Sequence, residues 1–310
     1  MKKYVQEATD ENIWTSIKNN TFGRNKDIKD FIDGLELIDE SACISLDAKW
    51  GDGKTFFVRQ IEEVLKYVLA NQRADEENPI EKLPSYEYLK DNEMMAKIDL
   101  KHSYLPIYYN AWMYDNHSDP LMSLLLVMTK TCRGVYDTKI DSEKISKKLV
   151  EALATLPISL GEFKANPFTA IEKLQGKSMD ILSLVQTEEE IRERVKGIFN
   201  DIIVERAQKL VIFIDELDRC RPSFAIEMLE RIKHYFDDER VIFVVSLNKE
   251  QLIHTITNYY GSGFDATRYL NKFFDVNINL PAMDKYQKQT LEFSEQQTEG
   301  KFWLYKLAEE

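Results

Sequence analysis

Two short stretches carry residue types and spacings suited to phosphate chemistry. Residues 47–56 read DAKWGDGKTF, and residues 210–216 read LVIFIDE. In the first, Gly51 and Gly53 flank Asp52 and lead into Lys54-Thr55, which is most of the phosphate-binding pattern G-x-x-x-x-G-K-[ST]. A glycine loop that opens a helix binds phosphate because its backbone N–H groups converge on the anion and the helix N-terminus adds partial positive charge. Lys54 then reaches the outer phosphates, and the Thr55 hydroxyl ligates Mg²⁺. In the second stretch an apolar run ends in paired acids, with Asp215 at the strand tip for the metal and Glu216 beside it to orient or deprotonate water. Together they describe a site for ATP and Mg²⁺.

One position departs from the pattern. Ala48 stands where the first glycine belongs. An alanine held in the left-handed region costs about 1 kcal/mol, which a tight nucleotide site absorbs. The departure therefore bears on turnover more than on binding. Two readings stay open: an ATP-hydrolysing enzyme, or a slow-turnover, nucleotide-loaded switch or scaffold that controls a partner protein.

The elements around these stretches form an alternating pattern. ACISLD (42–47), YLPIYYNAW (104–112), LVIFID (210–215), VIFVVSL (241–247) and FDVNINL (274–280) read as strands. Helical spacing recurs over 9–20, through Ile28, Phe31, Ile32 and Leu35, over 56–69, and after the Asp119-Pro120 start signal through Cys132. It recurs again over 188–208, from Ala225 to Phe236, from about 249, and near 265–273. Continuous apolar strands alternating with helices predict an α/β fold whose mostly parallel sheet is covered on both faces. The polar run 71–103 reads as an exposed insertion, and 135–187 shows helical pieces interrupted by Pro157, Gly161 and Pro167.

Composition narrows the function classes. The chain has 310 residues, 41 Lys+Arg against 53 Asp+Glu, and a net charge of −12, so it lacks the overall footprint of a nucleic-acid-coating protein. Its three cysteines (Cys43, Cys132, Cys220) follow no ligand spacing and read as reduced, buried thiols. No signal peptide is legible in MKKYVQEATDENIW. The richest apolar run, Leu121–Met128, is far shorter than the roughly 20 residues a bilayer requires. The expected location is cytoplasmic.

Five separated blocks resemble the KAP family of P-loop NTPases, in that family's order: WGDGKTFF (50–57), YNAWMYDNHSDPL (109–121), IDELDRCRPSFAIEMLERIKHYFD (214–237), VIFVVSLNKEQL (241–252) and GFDATRYLNKFFDVNINLP (263–281). The resemblance implies an αβα sandwich of the additional-strand class, with one strand inserted between the Walker A strand and the Walker B strand. It implies a nucleotide site formed by Trp50, Gly51, Asp52, Gly53, Lys54, Thr55 and Phe56, with Arg24 lining the adenine side. Thr55 and Asp215 are the implied metal ligands, and Glu216, Lys54, Asn248, Arg219 and Arg268 the implied catalytic groups. Asn248 matches a sensor position, and a helix N-cap is its structural alternative. Arg219, Arg221, Arg268 and Lys272 are basic positions of the kind that meet phosphate in cis or from a neighbouring subunit, surface salt bridges being the alternative. Trp112 is characteristic of the family and reads physically as a core residue.

The implied organisation is an N-terminal helical segment (1–20), a P-loop domain (21–281) with a helical or variable insertion at about 135–208, and a short helical tail (282–310). Many family members carry membrane helices between the two Walker motifs; this chain shows none there, so membrane insertion is not expected. The resemblance further implies hydrolysis coupled to conformational change or assembly, a homo-oligomer or partner protein, and for some bacterial members a part in phage exclusion or defence.

Overall fold

The computed structural model describes residues 7–74, 79–117, 119–134, 196–197, 207–235 and 238–281. The helix expected over 188–208 falls almost wholly outside these residues, as do the variable region 135–187 and the tail from 282.

Five strands build one parallel sheet: β1 (Ala42–Asp47), β2 (Tyr104–Asn110), β3 (Lys209–Asp215), β4 (Val241–Leu247) and β5 (Val276–Asn279), in the spatial order β2-β3-β4-β1-β5. β4 lies between β1, which feeds the glycine loop, and β3, which ends in the paired acids. This is the inserted-strand order expected above.

Alternation along the strands divides the interior into two cores. On β3, Leu210, Ile212 and Ile214 face one core while Val211 and Phe213 face the other. On β4, Val241, Phe243, Val245 and Leu247 join the first core, and Ile242 and Val244 the second. Residues at i and i+2 share a face, so a strand that is apolar throughout must be covered on both sides. β3 and β4 are buried along their whole lengths.

The second core is closed by α1 (Asp10–Lys18), α2 (Asn25–Leu35), α3 (Lys54–Gln72) and α4 (Tyr86–Leu89). The first is closed by α5 (Pro120–Gly134), α6 (Pro222–Tyr235), α7 (Lys249–Tyr260) and α8 (Ala266–Leu270). Local chemistry sets the helix starts. Asp119 accepts the Leu121 N–H at 2.8 Å ahead of Pro120, and Asp265 accepts the Arg268 N–H at 2.9 Å. α7 stops at Gly261, whose φ of +100° suits glycine.

Two expectations need correction. The run 71–103 is not simply exposed: Ser85, Leu89, Met94 and Leu100 are buried, and Leu89, Met94 and Leu100 belong to the second core. A high average charge hid three apolar side chains that are enough to pin a short segment against α1 and α3. Trp112 is not a core residue either. β2 ends at Asn110, the chain turns into a 3₁₀ segment (Ala111–Tyr114), and that turn buries Ala111 while leaving Trp112 54% exposed.

Among the described residues no helix is long and apolar enough to cross a membrane. Cys43 and Cys220 are free and buried, and burial, with Asp275 nearby, pushes the Cys43 thiol up to about 12.

Candidate nucleotide site

The loop between β1 and α3 is shaped by its own turn chemistry. Asp52 accepts the Lys49 N–H at 3.0 Å, while its own N–H donates to the Lys49 carbonyl at 3.3 Å. Gly51 has φ +92° and Gly53 φ +77°, both in the left-handed range, and Gly53 caps α3 without any side-chain bond. The N–H groups of the first helical turn thus stay available at the mouth of the loop.

Ala48 does not carry the strain expected of it. The only non-glycine residues with positive φ among those described are Asn20 and Glu216, so Ala48 lies outside the left-handed region. Its N–H donates to the Leu247 carbonyl at 3.2 Å, continuing the β1–β4 ladder by one residue.

Lys54 folds back over the loop, where its ammonium donates to the carbonyls of Ala48 at 2.6 Å and Lys49 at 3.1 Å. Burial lowers its pKa, against the opposing fields of Asp218 and Asp215. A partly desolvated cation held at the mouth of a glycine loop is well placed to meet an anion.

The paired acids are held by β2. Register sets Tyr108 beside Phe213 and Asn110 beside Asp215. The Tyr108 hydroxyl donates to Asp215 Oδ2 at 3.0 Å, and Asn110 Nδ2 donates to Glu216 Oε2 at 3.2 Å. Asp215 is 1% exposed and also accepts the Glu216 N–H at 3.0 Å, which meets the need of a buried carboxylate for donors. The same burial, together with Asp215, raises the pKa of Tyr108 and keeps it a donor.

Glu216 sits at φ 61°, ψ 28°, a left-handed conformation that breaks strand alternation and turns its side chain toward Asn110 and Arg219. Arg219 Nη1 lies 3.1 Å from Glu216 Oε1, and the Arg219 guanidinium stands 5.6 Å over the Trp112 ring. The indole N–H of Trp50 donates to Asp218, tying the glycine loop to the segment after β3.

These groups meet in a cavity of about 580 Å³, within the size range of small-molecule sites. Of the residues singled out from sequence, Trp50, Gly51, Gly53, Lys54, Thr55, Phe56, Asp215, Glu216, Arg219 and Arg24 line it. Arg24, 3% exposed, uses its Nη2 to donate to the carbonyls of Asp52 at 3.0 Å and Pro281 at 3.3 Å, fastening the loop from behind. Asp52 shapes the loop without lining the cavity.

The remaining positions fall elsewhere. Asn248 is buried and caps α7, accepting the Gln251 N–H at 3.2 Å. Arg221 is engaged with Asp115, and Arg268 and Lys272 are exposed outside the cavity. Sequence reasoning missed Tyr108, Asn110, Asp218, Phe22 and Gln60. Tyr108 and Asn110 had a readable signal, since they sit two apart at the end of a strand and therefore share one face.

The fold agrees with what the chain is similar to. A family model described as the KAP family P-loop domain matches residues 24–302. The chain belongs to the KAP family. Its P-loop NTPase domain thus accounts for most of the sequence and for the parallel sheet, and nucleotide binding and hydrolysis are the character of such domains. No curated protein matches this KAP chain.

Proposed function

We propose that this KAP domain binds ATP with Mg²⁺ and hydrolyses it. The observation that carries the proposal is the convergence of Lys54-Thr55 and Asp215-Glu216, from two distant parts of the chain, on one cavity. The donors suited to a metal there are oxygens, the Thr55 hydroxyl and the Asp215 carboxylate, which is the set Mg²⁺ prefers when substrate phosphates complete its shell. Among the described residues no cluster of three or more His, Cys, Asp or Glu forms a closed protein cage for a metal. Mg²⁺ bound there supplies charge neutralisation at the phosphates.

In this reading the loop N–H groups and the Lys54 ammonium bind the triphosphate, and Lys54 leaves its loop carbonyls to do so. The Glu216 carboxylate orients a water molecule and takes its proton as that water attacks the terminal phosphorus, whose bond to the bridging oxygen breaks to release ADP. Tyr108 holds the Asp215 carboxylate in place, while Asn110 and Arg219 set the position of Glu216. Glu216→Gln should retain ATP binding and lose hydrolysis by at least about 10²-fold, the usual scale of general-base catalysis; wild-type turnover in that variant would remove Glu216 from the role.

A second reading has its own observation. Both Glu216 oxygens are engaged by the protein, one by Asn110 and one by Arg219, which restrains the base. That favours a nucleotide-loaded switch whose slow turnover governs assembly with a second copy or a partner protein. Nucleotide-dependent change in particle size, together with retention of unhydrolysed ATP, supports it; rapid hydrolysis by a monomer counts against it. The family resemblance extends the proposal to phage exclusion in a cytoplasmic setting, tested by the phage susceptibility of a deletion strain.

A further inference from the structure

The wall of the cavity beyond the phosphate loop contains a polar group that the phosphate chemistry does not use. Gln60 lies on α3 one turn past Phe56, so the two side chains share a helix face. Both line the cavity, as do Ala8 and Phe22. Five residues of helix separate Gln60 from Thr55, about 7.5 Å of rise, which sets Gln60 at the distance of a base rather than of a phosphate. Phe22 and Phe56 meet edge to face with ring centroids 5.6 Å apart, giving this part of the wall an aromatic surface.

The orientation of the Gln60 amide follows from its partners. Ser16 Oγ donates its only hydrogen to the Ile13 carbonyl at 2.7 Å, so toward Gln60 it can only accept. Gln60 Nε2 donates to that oxygen at 2.8 Å. The other end of the amide, Oε1, is thereby fixed as an acceptor. It is buried in a residue 1% exposed and has no hydrogen-bond partner among the described residues.

The arrangement is rigid. Trp14 Nε1 donates to Glu63 at 2.6 Å and Arg59 pairs with Asp10 at 2.8 Å, clamping α1, and with it Ser16, onto α3. Ser16 and Ala8 precede residue 24, where the family match begins, so part of this wall belongs to the chain's own N-terminal segment.

We infer that Gln60 is a specificity-determining residue that reads the base, its Oε1 accepting a hydrogen bond from the exocyclic 6-amino group of adenine. The inference rests on the nucleotide reading proposed above. A 6-oxopurine presents an acceptor at the same place, so two acceptors would face each other and both would remain unpaired. The pocket therefore prefers adenine nucleotides to hypoxanthine nucleotides, in which a carbonyl replaces the 6-amino group and N1 carries a hydrogen.

Calorimetric titration of the full chain with ADP and IDP, in Mg²⁺ buffer, tests this without interference from turnover. Wild type is expected to bind ADP at least tenfold tighter than IDP, about 1.4 kcal/mol. Gln60→Leu should weaken ADP and bring the ratio close to one. Ser16→Ala, which frees the amide to rotate, should narrow the ratio by improving IDP. Equal binding of ADP and IDP by wild type overturns the base reading while leaving the nucleotide site intact; absence of binding by either diphosphate and by ATP overturns both. If Gln60→Leu fails to fold, the wild-type ratio and Ser16→Ala decide the matter. An unchanged ratio in a folded Gln60→Leu protein overturns the assignment to Gln60.

Discussion

Ala48 donates its N–H to Leu247 and has no positive φ, so the glycine absent from the pattern is not needed at this position. Ala48→Gly should therefore leave ATP turnover within about twofold and lower stability by about 0.4–1 kcal/mol, through the added freedom of the unfolded chain. Paired ATPase assays and urea titrations check both. The strained residue is Glu216 instead, where a left-handed carboxylate brings the proposed base within reach of Asn110 and Arg219. Beside it, Tyr108 holds a carboxylate that is 1% exposed. Tyr108→Phe leaves Asp215 short of a donor, at a cost of about 1–3 kcal/mol. Mg²⁺-dependent hydrolysis should fall about tenfold or more while ATP binding in EDTA stays unchanged; equal losses in both would assign Tyr108 to packing alone.

Among the elements, β2 does more than its place at the sheet edge suggests. One face of its C-terminal end positions both acids, Asp215 at the end of β3 and Glu216 just after it, because parallel register brings Asn110 level with Asp215. α3 likewise serves twice in the proposed site, with its N-terminal N–H groups at the mouth of the glycine loop and Phe56 and Gln60 on the cavity wall. The segment after α3 is legible from composition only as a polar run. Its burial depends on Leu89, Met94 and Leu100 finding the second core, which no local pattern announces. Leu89→Ala should cost about 2–5 kcal/mol by leaving a cavity, while Glu87→Ala on the same short helix should change stability by no more than about 0.5 kcal/mol. Chemical denaturation of the two variants compares them directly, and equal small effects would restore the exposed-insertion reading.

For the whole molecule, stability in acid depends on carboxylates that the fold holds ionised. Asp238, in the turn entering β4, receives two bonds from the Arg240 guanidinium, at 2.8 and 2.7 Å, and the Arg240 N–H at 3.0 Å. The Arg240 hydrogen bond holds its carboxyl below the ordinary 3.8. The unfolded chain then takes up a proton here before the folded one does. The stabilisation is complete above about pH 3.8 and is lost as pH falls through the lower folded value. Urea midpoints at pH 7 and pH 3 should show a smaller acid loss for Asp238→Asn than for wild type. Equal acid losses would mean that the pair persists in the unfolded state.

Much of this architecture is written locally. The glycine loop, the acidic strand end, the five strands and the helix start at Asp119-Pro120 are decided by short-range chemistry, by φ freedom, periodicity and capping, and so they are readable along the chain itself. The resemblance to the KAP family draws on the same short blocks. Only tertiary packing decides which residues surround them. Tyr108 and Asn110 meet the acids through strand register, Gln60 has its amide oriented by a serine forty-four residues away in sequence, and Trp112 is turned outward by the end of its strand. A motif is a local backbone shape and survives in one dimension. The hydrogen bonds that aim its side chains join distant segments, and those pairings exist only once the sheet and its two cores have formed.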